Sequence, residues 1–75
     1  MIYCVNFHEV HLRLTSLGFE EVGRTEELRA YERKDGGRFL IRPPNMHGYL
    51  PEIIVDDAFA SAGLDPGRWN VFWGD

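Results

Sequence analysis

Apolar residues recur at Phe7, Val10, Leu14 and Leu17, the spacing that keeps one stripe of a helix away from water. Asn6 stands where an N-cap belongs, Glu9 follows at the capping-box distance, and Gly18 supplies a stop, so the pattern predicts a first helix over 7–17. On it, His8 and Arg13 turn toward solvent and Leu12 lies off the stripe. The period then changes. Residues 19–24 predict a short strand closed by a turn at 25–27, and residues 28–33 and 38–42 predict two firmer strands. Between them Asp35-Gly36 is a strong tight-hairpin signal. Pro43-Pro44 ends the third strand, because neither proline can donate to a ladder, and residues 45–50 are expected as a loop carrying His47.

A second helical stripe, Val55, Ala58, Phe59 and Ala62 with Gly63 as its stop, predicts a helix over 51–62. Asp65-Pro66 reads as an N-cap followed by proline at the first helical position, which places Trp69, Phe72 and Trp73 on a short C-terminal helical turn. The expected architecture is α+β, in the order α-β-β-β-α, with helices on one face of a three-stranded antiparallel sheet.

A chain of 75 residues has room for one core, so residues 1–75 are expected as a single domain. No apolar run approaches the roughly 20 residues a membrane span needs, so no membrane partner is expected. The opening Met1-Ile2-Tyr3-Cys4-Val5 has no basic leader, which points to the cytoplasm. The single cysteine, Cys4, excludes an internal disulfide and every multi-cysteine zinc pattern. A formal charge of −4 argues against strong nonspecific attraction to nucleic acid, though not against a local basic patch.

Closing the hairpin on Asp35-Gly36 produces such a patch. That register pairs Arg33 with Arg38, Tyr31 with Leu40 and Arg29 with Arg42, leaving four arginines around a tyrosine on one face and Leu28, Ala30, Phe39 and Ile41 on the other. Like charges opposed in a ladder are unfavourable, so the face would suit an anion such as RNA phosphate or an acidic partner. Two alternatives stand beside it: Glu21, Glu26 or Glu27 neutralise the arginines as a solvated network, or a three-residue loop shifts the pairing by one and dissolves the face. His47 is the candidate general base by chain position. Cys4, His8 and His11 have a weak zinc-like spacing that most often belongs to packing and surface residues, so no metal site and no cofactor are assigned. Trp69, Phe72 and Trp73, with Tyr3 and Leu12, form an aromatic set: Trp69 is expected in the core, and the remainder as a contact patch for a partner or a second copy.

Leu17-Gly18-Phe19, Ala30-Tyr31, Asp35-Gly36-Gly37-Arg38, Pro43, Leu50-Pro51 and Ala62-Gly63-Leu64 together resemble, in order and spacing, the HicA-type toxins over about residues 10–72. The resemblance implies a fold similar to double-stranded-RNA-binding domains, mRNA cleavage without a metal, and neutralisation by a HicB-type antitoxin. It also implies a catalytic histidine at the start of the second strand, after Gly-Ser or Gly-Gly. This chain has Glu26-Glu27-Leu28 there, and Ile53-Ile54 where the family usually has Gly-Thr. Leucine exchanges no proton, so the expectation is a divergent HicA-like protein that binds RNA or a HicB-like antitoxin and has lost its ribonuclease activity. The alternative is a protein–protein interaction module, as a homodimer or with another chain, without a nucleic-acid role.

Overall fold

The computed structural model describes residues 2–74, with Met1 and Asp75 outside the description. The order is β1 (Ile2–Asn6), α1 (Phe7–Ser16), β2 (Phe19–Arg24), β3 (Arg29–Arg33), β4 (Arg38–Ile41), β5 (Tyr49–Pro51), α2 (Glu52–Ser61) and β6 (Val71–Gly74). Two three-stranded antiparallel sheets result, β2-β3-β4 and β5-β1-β6. One apolar cluster joins them: Val5 and Leu50 from one sheet, Phe19, Tyr31, Phe39 and Ile41 from the other, and residues of both helices between.

Both helices lie within a residue of their predicted limits. Asn6 Oδ1 accepts the His8 N–H at 2.9 Å, so the cap forms, but Glu9 does not complete the box: its carboxylate accepts the Asn70 N–H at 3.3 Å. Phe7, Val10 and Leu14 are buried as the stripe requires, whereas Leu17 comes after the last helical turn and is exposed. In α2, Val55 and Phe59 are buried. Phe59 packs edge-on against Phe39 at 4.9 Å and Trp69 at 5.3 Å between ring centres, an arrangement that suits the aromatic quadrupoles.

The hairpin register departs from the expectation by one residue. A two-residue turn centred on Asp35-Gly36 needs positive φ at both positions, and only Gly36 has it, at 94°. The chain instead makes a three-residue loop, with Gly36 N–H bonded to Arg33 O at 3.0 Å and Arg33 N–H to Gly37 O at 2.8 Å. Asp35 Oδ1 secures it by accepting from Gly37 N–H at 2.9 Å. The pairs are therefore Glu32 with Arg38, Tyr31 with Phe39, Ala30 with Leu40 and Arg29 with Ile41. Phe39 and Ile41 are buried and Leu40 is exposed, as expected, but Tyr31 joins the core with no exposed surface, and Leu28 is exposed instead of buried. Ala30 lies opposite Leu40, on the face turned away from the core.

Three further expectations are corrected. The sheet of three strands has a companion, because Ile2–Asn6 is a strand. Tyr49–Pro51, within and just beyond the predicted loop, is another. The C-terminal helical turn is the strand Val71–Gly74, pairing Tyr3 with Trp73 and Cys4 with Phe72. Trp69 is buried before that strand begins; its indole N–H reaches Asp56 Oδ1 at 3.1 Å, and the Arg13 guanidinium lies 3.6 Å above its ring centre. Arg13 also donates to the carbonyls of Pro66 and Arg68, so one side chain of α1 holds the segment that delivers β6 to β1.

Phe59→Ala would empty the contact between Phe39 and Trp69 and is expected to cost about 3–5 kcal/mol. Urea unfolding measures it, and a loss below about 1 kcal/mol would contradict a core centred on this ring.

Candidate functional site

The arginine face divides. Arg29, Tyr31 and Arg33 alternate onto the side of β3 that carries the core, while Arg38 and Leu40 point away from it. Each strand arginine also finds an acid: Arg33 Nε lies 3.0 Å from Asp35, Arg38 2.9 Å from Glu32, and Arg29 3.6 Å from Glu21. Arg42, past the end of β4, is exposed and belongs to no ion pair among the described residues. Asp35 is held below its usual pKa by the Gly37 N–H and by Arg33. The Arg33 and Arg38 pairs reach solvent and are worth little individually, and the Arg29 pair is mostly buried, but together they cancel the open positive face.

The site expected around His47 does not assemble. His47 is exposed, its own N–H is bonded to Asn45 Oδ1 at 2.9 Å, and it does not line the polar cleft described below. Leu28 closes the 25–28 turn, where Thr25 Oγ1 accepts the Leu28 and Glu27 N–H groups. Among the described residues no three histidine, cysteine, aspartate or glutamate side chains gather as a metal site.

A different cluster does assemble. Two residues on from the buried Phe19 and just before a bulge, Glu21 stands directly opposite Tyr31 on the core-facing side, under the first turns of α1. There Glu21, Arg24, Arg29, Tyr31, His8 and His11 line one open cleft of about 340 Å³. His11 Nδ1 and the Tyr31 hydroxyl are 2.9 Å apart. Burial, and next the charge of Glu21, push the Tyr31 hydroxyl above its usual pKa, so it keeps its proton. For Glu21, burial works toward a higher pKa, but the hydrogen bond and charge of Arg24 and the charge of Arg29 outweigh it and leave the carboxyl below 4.5. Its Oε1 accepts from Arg24 at 2.8 Å; its Oε2 is buried without a hydrogen bond, as is Nε of Arg29.

The readable signals for this cluster were the helical spacing of His8 and His11 and the parity of Arg29 with Tyr31. Glu21 turns inward because it shares the parity of the buried Phe19, two residues back along the same strand.

The aromatic set also divides. In β1 and β6, antiparallel neighbours share a face, so Tyr3 and Trp73 stand together on one side, with ring centres 4.0 Å apart, and Phe72 stands on the other against Tyr49 at 4.6 Å. Leu12 lines the same groove as Tyr49 and Phe72. Trp73 is 55% exposed and β6 is a sheet edge. Among the described residues no helix is long and apolar enough to cross a membrane. Compared with protein-family models, curated proteins and solved structures, the chain matches none.

Glu21 contributes stability in its ionised form. Because its folded pKa lies below the ordinary value, that contribution is full above pH 4.5 and is lost as the pH falls through the depressed value. Glu21→Gln is therefore expected to be less stable than the parent at pH 7, with the gap closing at pH 3. Urea midpoints at the two pH values measure this, and an unchanged gap would show that Glu21 acts through packing alone.

Proposed function

We propose that this chain is a divergent HicA-like domain that works by associating with a protein chain instead of cutting RNA, and that it pairs with a second copy of itself along β6. The fold part of this reading is supported by α1, β2, β3, β4 and α2, which follow the α-β-β-β-α order of a double-stranded-RNA-binding-like domain once the short β5 of the second sheet, inserted before α2, is set aside. The loss of cleavage is supported by Leu28, a hydrocarbon side chain where the resembling toxins carry histidine.

The observation that carries the reading is the edge strand itself. Val71–Gly74 bears no charge, proline or bulge, the devices by which exposed edges usually avoid pairing. On a chain of net charge −4 this neutral strand is where two copies meet without repulsion. A two-fold axis through β6 would join two β5-β1-β6 sheets into one of six strands, each copy using the same residues. A stable interface needs about 800 Å² from each partner, more than four residues of backbone supply, and Ile2, Tyr3, Phe72 and Trp73 add the exposed apolar surface beside the edge. Against RNA as the partner stands the pairing of Arg29, Arg33 and Arg38 with Glu21, Asp35 and Glu32. A HicB-like antitoxin would meet the same edge only in competition with the second copy.

Light scattering after gel filtration should give twice the 8.7 kDa chain mass at about 100 µM, and Trp73→Lys should return the monomer with its circular dichroism intact. A parent chain that remains monomeric overturns edge pairing.

Induced expression should leave growth and mRNA intact, and Leu28→His alone should not restore cleavage, because Glu26 and Glu27 still repel phosphate. Cleavage of mRNA by the parent protein would overturn the non-nuclease reading, and its loss in His47→Ala would identify the base.

A further inference from the structure

One face of the sheet β2-β3-β4 delivers Phe19, Tyr31, Phe39 and Ile41 to the core, and the other is open to solvent among the described residues. An antiparallel sheet wetted on one side normally turns polar side chains outward. The outward row Glu20, Glu32 and Arg38 obeys this, running side by side across the three strands. The next row does not. Gly23, Ala30 and Leu40 stand abreast with Val22 of the bulge beside them, and Leu40 and Val22 are 47% and 56% exposed. Leu28, two residues before Ala30 and of the same parity, is exposed as well. Contiguous apolar surface on an open face marks a place where another chain sits.

Gly23 is the sharper signal. Its φ is not positive, so the bulge beside it does not require glycine. A Cβ at this position would meet nothing closer than the Ala30 Cβ, at 3.7 Å, an ordinary contact. Glycine weakens a strand, and it is kept inside one where another backbone approaches closely. Gly23 and Ala30, paired across the ladder, form a low floor between Val22 on β2 and Leu40 on β4. The face offers side chains but no free backbone groups, so its occupant must satisfy its own backbone, as a helix does.

Charge at the two ends of the floor selects the kind of helix. Glu20 lies directly opposite Glu32, an unfavourable pairing on a ladder, and Arg38 answers Glu32 alone. The hollow beside them, of about 610 Å³, is lined by Glu20, Val22 and Glu32 with Gly18 and the hairpin run Arg33-Lys34-Asp35. Arg33 pairs with Asp35, so Glu20 and Lys34 are the lining charges without an ion pair among the described residues. At the other end, Glu26 and Glu27 in the turn after β2 have none either. Unpaired acids therefore outnumber unpaired cations along this face. We infer that it receives an amphipathic helix of a partner protein, with the apolar stripe laid along Val22, Gly23, Ala30 and Leu40 and with lysine or arginine at both ends, over Glu20 and toward Glu26 and Glu27. From Glu20 to Glu26 the chain advances about 20 Å, the length of about 13 helical residues. Such a helix covers the second face of the sheet as α1 and α2 cover the first. The surface belongs to the sheet that β6 does not join, so it is independent of the edge pairing proposed above.

A synthetic amidated peptide of about 14 residues, with leucine and alanine at i, i+3, i+4 and i+7 and lysines at both ends, tests the inference beside a permuted peptide of the same composition without the stripe. Titrated into the nitrogen-15-labelled full chain at pH 7 and physiological ionic strength, the first should shift amide resonances around Gly23, Ala30 and Leu40 saturably. The permuted peptide should bind about tenfold or more weakly. Gly23→Lys, which puts bulk and positive charge on the floor, should keep a dispersed spectrum and weaken the first peptide by about the same factor. Trp73→Lys should bind it as the parent does, which separates this face from β6. In the parent chain, absence of a saturable response, equal binding of the permuted peptide, or shifts centred on β6 overturns the proposal. Shifts on this face that follow chain concentration without peptide would assign it to a second copy and overturn the helix.

Discussion

The sign of one torsion decides which side chains of the molecule meet. Positive φ at Gly36, with none at Asp35, selects a three-residue loop over a two-residue one, and side chains alternate along a strand, so that one-residue difference transposes β3 relative to β4. With the observed pairing Tyr31 lies beside Phe39 in the core, and the ring of Phe39 reaches both Tyr31 and Phe59 edge-on. With the other, Tyr31 would stand beside Leu40 in water and the space beneath α1 would be empty. The hydrophobic demand of the core and the conformational demand of the loop agree, and such agreement between local and global preference is what gives a short chain a single structure.

A second constraint closes the molecule. β1 precedes the first helix and β6 ends the described chain, so their pairing joins residues about seventy positions apart, from Ile2 with Gly74 to Val5 with Val71. Closing so long a loop costs entropy that four residues of ladder do not offset alone. Arg13 offsets it from another direction: its charge lies over Trp69 while its hydrogens occupy carbonyls of the connecting segment. Trp69 in turn packs on Phe59 and donates to Asp56, so the terminal strand is tied to both helices before it reaches β1.

These two constraints explain which elements were legible in the sequence. The helices and the three central strands were, because their periodicity extends over enough residues to be distinctive and their stops are glycine or proline. The outer strands were not: Ile2–Val5 is a short apolar run without alternation, and Val71–Trp73 shares its aromatic spacing with a helical turn. Asp65-Pro66 strengthened the helical reading, yet Asp65 Oδ1 accepts from Gly67 N–H in a loop turn, and Gly67 follows with φ at 66°. Asp35-Gly36 predicts a turn, and of the two loop lengths the sequence allows, the three-residue one forms. The longer loop puts Tyr31, Arg29 and Arg33 on the core side while leaving Phe39 and Ile41 where either register places them.

The candidate site follows from the same transposition. Arg29 shares the parity of Tyr31, so a register that buries the tyrosine also draws a guanidinium toward the core, where a cation without a counter-charge is costly. Glu21, on the same face of β2 as Phe19 and opposite Tyr31, supplies the counter-charge within 3.6 Å of Arg29. The compensation is electrostatic but not geometric, since the charges balance while Oε2 and Nε remain without hydrogen bonds. The polar cluster under α1 is thus the electrostatic consequence of the register that buries Tyr31: once Arg29 is turned the same way, the Glu21 carboxylate, itself held ionised by Arg24, balances it there.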